Sequence, residues 1–393
     1  MGCRAVRNRV GVGFTLLTRE HSMTTIADLI IARDAAQKQD QQASKSLQRP
    51  IFDQKSLDEH LVLQSFGGKE ELVKRLDALS HRGVNRTLMC ATHEILGRVS
   101  NLKTKFPNFS QVIDYLEKSL ILALVSEQSF IKFDPICLGG PPGVGKTHFC
   151  RALTQALDLE SEFLSCSSAV AEWVISGLDS GFRDSYPGLI AEFFQKSSTA
   201  NPIFFMDEFE KPKEASNGTG SFHGPFYILL EASSADAFED NFLKVTIDSS
   251  YINWIVTVND FSALPEPIQS RLTYFHIEVP SEEERYAVTL SVYGEIVSKL
   301  RNDRGLMMNP SLNREQLRLL NAFEPRTMRK VLETAIKDSI AVFFKAHPMG
   351  IKVSCRSTIP LLSSSISSAT QSSARIGERP YQTSAIGFLA AIT

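Results

Sequence analysis

The stretch Gly140-Pro-Pro-Gly-Val-Gly-Lys-Thr147 constrains this chain more than any other, because it follows an apolar run ending in Cys137-Leu138 and opens a segment of helical spacing, Lys146 to Asp158. Glycines at 140, 143 and 145 let the backbone turn its N–H groups inward, and a helix beginning at such a turn adds the positive end of its dipole. The spacing predicts a loop that cradles phosphate. In that reading Gly140, Pro141, Pro142, Gly143, Val144, Gly145, Lys146, Thr147 and His148 surround the anion. Lys146 holds the terminal phosphates and the Thr147 hydroxyl ligates Mg²⁺.

The pattern around this loop predicts an α/β fold. Short apolar runs at Ile131 to Leu138, Glu162 to Cys166, Ile203 to Met206, Ile252 to Val258 and Tyr274 to Val279 alternate with helix-length segments at Lys146 to Asp158, Leu189 to Ser198 and Phe226 to Ser233. That alternation is the mark of a doubly wound parallel sheet, here over residues 131–280. Residues 24–130 carry three-and-four spacing at Ala27 to Ala32, Leu57 to Leu79, Thr87 to Val99 and Val112 to Val125, which predicts a helical N-terminal region. After Pro280 the strand pattern stops. Ser281-Glu-Glu-Glu284 is a helix start, and Leu312 to Leu320 and Arg326 to Lys345 extend a small helical lid over residues 281–350. From 351 to 393 serines accumulate, and a disordered tail is expected. Residues 1–23 are expected to be a disordered leader, or upstream of a true start at Met23.

Three further segments carry candidate chemistry. Ile203-Phe-Phe-Met-Asp-Glu208 is an apolar strand delivering two carboxylates at its C-terminal end, where ligands gather in such sheets. Asp207 suits Mg²⁺, and Glu208 suits polarisation of an attacking water. Ile255-Val-Thr-Val-Asn259 ends a buried strand in an amide that suits the γ phosphate and the lytic water, although strand ends also carry Asn as a turn former. Arg271, at the end of the short helix Pro267 to Leu272, is either a solvent-facing helix-end guanidinium or a finger inserted into a neighbouring subunit's nucleotide. ATP with Mg²⁺ is the expected ligand.

The order of these motifs resembles the AAA+ ATPase superfamily and, more narrowly, the ATPase module of Lon proteases, over roughly residues 131–345. The narrower likeness rests on Leu138 to Thr147, on Asn201-Pro-Ile-Phe-Phe-Met-Asp-Glu-Phe-Glu-Lys211, and on Leu229-Leu-Glu231 followed by Phe238-Glu-Asp-Asn-Phe-Leu243. It implies a substrate-gripping pore loop at Ile175 to Gly188 with Phe182 as its aromatic. It also implies a sensor arginine in Glu324-Pro-Arg-Thr-Met-Arg329, with Arg326 preferred over Arg329, and a ring, usually a hexamer, in which Arg271 is the intersubunit finger. The segment after the lid has no pattern of a Lon-type peptidase domain with its Ser-Lys pair, so proteolysis by this chain is not expected.

Composition narrows the function classes. A net charge of -2 supplies no field towards nucleic acid, and no apolar run approaches the roughly 20 residues of a membrane span. Six scattered cysteines read as buried thiols of a cytoplasmic protein. The expected function is an ATP-hydrolysing ring motor that remodels or unfolds protein. The alternatives are a nucleotide-dependent switch or scaffold, including one on DNA, and an ATPase subunit feeding a separate peptidase.

Overall fold

The computed structural model describes residues 47–64, 70–127, 129–168, 171–182, 184–212, 221–346 and 358–375. The expectations for the leader and for Ala27 to Ala32 lie outside these residues. The described residues begin with β1 (Leu47–Pro50), α1 (Gln54–Gln64), α2 (Glu70–Arg82), β2 (Asn85–Leu88), α3 (His93–Lys105) and α4 (Ser110–Val125). The N-terminal region is therefore not helical throughout. β1 and β2 pair antiparallel, Leu47 opposite Leu88, and the helix expected over Thr87 to Val99 begins only at His93, capped by Thr92. These strands escape a periodicity reading because each is four residues long and at least half polar.

The sheet comprises β3 (Ile136–Gly139), β4 (Ser161–Ser165) and β5 (Ile203–Asp207), then β8 (Asn253–Val258) and β9 (Thr273–His276). Between them run α5 (Lys146–Leu157), a single turn α6 (Trp173–Ser176), α7 (Leu189–Lys196), a single turn α8 (Phe226–Leu229), the paired β6 (Phe238–Glu239) and β7 (Thr246–Ile247), and α9 (Glu266–Gln269). The order is β4-β5-β8-β3-β9, all parallel. β3, the first strand of this sheet in chain order, thus lies between its fourth and its last, and the chain reverses its winding direction there. Ligands bind at the carboxyl ends of strands beside such a switch point.

Side-chain alternation puts a core on each face of this sheet. Ile203 and Phe205 of β5 join Ile136, Leu138 and Ile255, with Val99, Ile113, Leu116, Phe149 and Leu153 from α3, α4 and α5 packed against them. Phe204, Met206, Trp254 and Val256 point the other way, where Leu57 of α1, Leu72, Leu76 and Leu79 of α2, and Phe194 of α7 cover them. Each large apolar side chain buried this way contributes about 1.5–3 kcal/mol. The N-terminal helices share both cores with the sheet.

The lid consists of α10 (Glu282–Arg304), with a Ser281–Glu284 capping box, then β10 (Met307–Met308), α11 (Arg314–Leu320), α12 (Pro325–Ala346), β11 (Thr358–Ile359) and α13 (Ser363–Arg375). The serine-rich segment expected to be disordered contains a folded helix. Ile359, Leu361, Ile366 and Ala369 are buried with Leu332 and Ile336 of α12, and Ser339 Oγ accepts the Leu362 N–H at 3.1 Å. Serine composition hid a short apolar stripe.

Candidate nucleotide site

At the carboxyl end of β3 the chain enters the glycine loop, whose course is fixed by two backbone requirements. A Cβ on Gly140 would lie 2.3 Å from the Ile277 carbonyl oxygen, and Gly145 precedes α5 at φ 101°, which L side chains rarely adopt. Lys146 and Thr147 then begin α5. A cleft of about 460 Å³ opens here, and its walls include Pro142 to His148, Asp207, Glu208, Asn259 and Arg326. Most of the residues expected from sequence therefore converge on one place.

The interior of the cleft is linked by hydrogen bonds. Lys146, almost fully buried, donates to the Gly140 and Pro141 carbonyls and, at 3.1 Å, to Asn259 Oδ1. Burial lowers its pKa, while Glu210 and Asp207 oppose that shift. The Thr147 hydroxyl donates to Asp207, 3.0 Å from Oδ2, and Thr257 Oγ1 donates to Oδ1. A hydroxyl and a carboxylate in contact form an oxygen donor pair of the kind Mg²⁺ takes. Glu208 sits one residue on with φ 56°, an uncommon conformation for a non-glycine residue, and its N–H donates to Thr257 Oγ1 at 3.1 Å.

The lid closes the cleft's other side. Arg329 donates to Glu295 at 2.7 Å, and His148 Nε2 lies 3.1 Å from the same carboxylate. Burial acts to raise the Glu295 pKa, but its bonds to His148 and Arg329 outweigh that and hold it low. Phe106, Val288 and Val292 make an apolar end to the cleft.

Two expected residues stand apart. Arg271 is not in the cleft; its Nε pairs with Glu231 at 3.1 Å and its Nη1 donates to Pro267 O at 2.6 Å. Phe182 lies on the loop between Gly177 and Gly188 and is 64% exposed. The base of that loop is tied by Asp240, fully buried, which accepts from Gly188 N (2.8 Å), Phe242 N (3.0 Å) and Leu243 N (2.8 Å).

Asp240→Ala strands these three donors, and a loss of about 3 kcal/mol in unfolding free energy is expected below about pH 4, read from denaturant titration. Burial pushes the Asp240 carboxyl up to about 6, against about 3.9 for a free aspartate. The stability this group contributes is therefore full below about pH 4 and lost as pH rises through 6. The variant should lack that pH-dependent component.

Sequence reasoning missed Thr257, Glu210 and Glu295. Thr257 alternates with Asn259 as a polar residue in an apolar strand, and Glu210 follows Glu208 by two; both were visible signals. Among the described residues no cluster of three His, Cys, Asp or Glu side chains forms a metal cage, and no helix is long and apolar enough to cross a membrane. Cys137, Cys150 and Cys166 are buried free thiols whose pKa values burial raises.

A five-stranded parallel sheet in this order, with a glycine loop at the switch point and an Asp-Glu pair ending the strand two places away, defines the nucleoside triphosphatase class of α/β folds. Residues 136–281 match the model of the ATPase family associated with various cellular activities (AAA). The chain is 30% identical to the Lon protease of Flavobacterium johnsoniae across 178 residues, 45% of this chain and 22% of that protein. It is 29% identical to the Lon protease of Wolbachia pipientis subsp. Culex pipiens across 188 residues, 47% of this chain and again 22% of the relative. The match thus spans about a fifth of these relatives' length. Among solved structures, Hsp104 of S. cerevisiae, in an extended-conformation complex with casein, has the same fold (TM-score 0.52, 14% identity, 68% of this chain and 52% of that one).

Proposed function

We propose that this chain is a Mg²⁺-dependent ATPase that assembles into a ring, usually six-membered in the family it resembles, and uses ATP hydrolysis to remodel or unfold protein partners in the cytoplasm. The observation that carries the mechanical part is Phe182, an exposed aromatic on a loop whose base is clamped by a buried carboxylate. An aromatic face can wedge against an extended polypeptide with little regard for sequence.

In this reading the purine lies against Phe106, Val288 and Val292, and Lys146 exchanges its bonds to Gly140 and Pro141 for phosphate oxygens. Thr147 and Asp207 would hold Mg²⁺, which would supply neutralisation of phosphate charge. Glu208, fixed by Thr257, takes a proton from the attacking water. Arg326 approaches the phosphates from the lid. Arg271 leaves Glu231 to reach the nucleotide of the next copy.

The test is the ratio of ATP turnover with and without a carboxymethylated, permanently unfolded protein. The wild type is expected to be stimulated, and Phe182→Ala to bring the ratio to one. Equal stimulation in both would remove Phe182 from the polypeptide path; no stimulation in either would favour a nucleotide-dependent switch.

A further inference from the structure

The turn after β5 carries a third carboxylate, Glu210, which does not line the cleft. Its Oε1 accepts from both the backbone N–H and the side-chain amide of Asn259, each at 3.0 Å. Its Oε2 is buried with no hydrogen-bond partner. A buried, unpartnered carboxylate oxygen costs desolvation free energy that an apolar residue at this turn would avoid.

Asn259 is held on its other side by Lys146, whose Nζ lies 3.1 Å from Oδ1. An ammonium only donates and a carboxylate only accepts, so these two neighbours decide which end of the amide is oxygen. The NH₂ belongs to Glu210 and the oxygen faces Lys146. Without Glu210 the amide is free to turn, and its NH₂ could then face another donor.

We propose that Glu210 is a positioning residue for ATP hydrolysis: it fixes the Asn259 amide so that an acceptor oxygen faces the phosphate-binding lysine and the water that attacks there. The role rests on the ATPase reading above. It acts through Asn259, so removing either partner should cost the same step, and removing both should cost no more.

The experiment is a double-mutant cycle on the full chain, measuring kcat and KM for ATP and the thermal midpoint. Glu210→Met matches the length of the side chain, removes the acceptor and also removes the buried charge. It is expected to lower kcat about tenfold or more, as loss of an outer hydrogen-bond partner does at metal sites. KM should stay within about threefold, since the phosphate contacts are untouched. Asn259→Ala should behave alike, and the double variant should be no slower than the slower single. Glu210→Gln, which keeps an acceptor oxygen, should recover part of the loss.

Losses that multiply in the double variant, or wild-type kcat in Glu210→Met, would overturn the proposal. Should Glu210→Met fail to fold, the cycle of Glu210→Gln with Asn259→Ala decides by the same criterion, a partial non-additive loss supporting it and a multiplied or absent loss overturning it. Absence of turnover in the wild type would overturn the ATPase reading itself, and the proposal with it.

Discussion

Glu208→Gln is expected to bind ATP as the wild type does and to lower its turnover by about two to four orders of magnitude, the contribution of a positioned general base. The amide is the same size as the carboxylate, so the cleft keeps its shape, but it takes no proton from water. The backbone conformation at φ 56° supports this reading: a non-glycine residue is held there by the Phe209 N–H to Thr257 O bond (2.9 Å) and its own N–H to Thr257 Oγ1. Such a conformation persists when surrounding structure determines it, and it recurs at active sites. Phosphate release beside equilibrium binding of a fluorescent ATP analogue checks the prediction. Weakened binding would make Glu208 a structural residue.

Lys146→Ala should lose nucleotide affinity rather than the chemical step alone. The ammonium is buried at the loop's centre and bonded to two loop carbonyls and Asn259, so its removal leaves those acceptors unpaired and takes away the cation facing the phosphates. Truncating one partner of a desolvated charge pair costs on the order of 2–4 kcal/mol, roughly 30- to 700-fold in affinity. The same binding assay reads it, and unchanged affinity would place the phosphates elsewhere.

The course of the glycine loop was legible because it is written in local spacing: three glycines, a lysine and a threonine within eight residues. Asp207 and Glu208 were legible because four apolar residues precede them and predict a buried strand. Glu210 and Thr257 were not assigned roles because their meaning depends on the pairing of β5 with β8, Met206 opposite Val256, which brings the turn after one strand beside the end of the other. Glu295 needed the lid packed on α5 before its position beside His148 could be known. The helix Ser363–Arg375 was hidden because serine content outweighed its two buried apolar residues, Ile366 and Ala369, which only matter once α12 is there to cover them. Short β1 and β2 pair across the 34 positions between Pro50 and Asn85, a contact no local pattern reports.

In the proposed function hydrolysis takes place in the cleft between β3, β5, β8 and the lid, and Thr147 and Asp207 are the proposed Mg²⁺ pair. Steady-state phosphate release by the wild-type chain across ATP concentrations, with and without Mg²⁺, tests that claim most directly. The account predicts saturable release that disappears when Mg²⁺ is chelated; no release, or release indifferent to Mg²⁺, would contradict it.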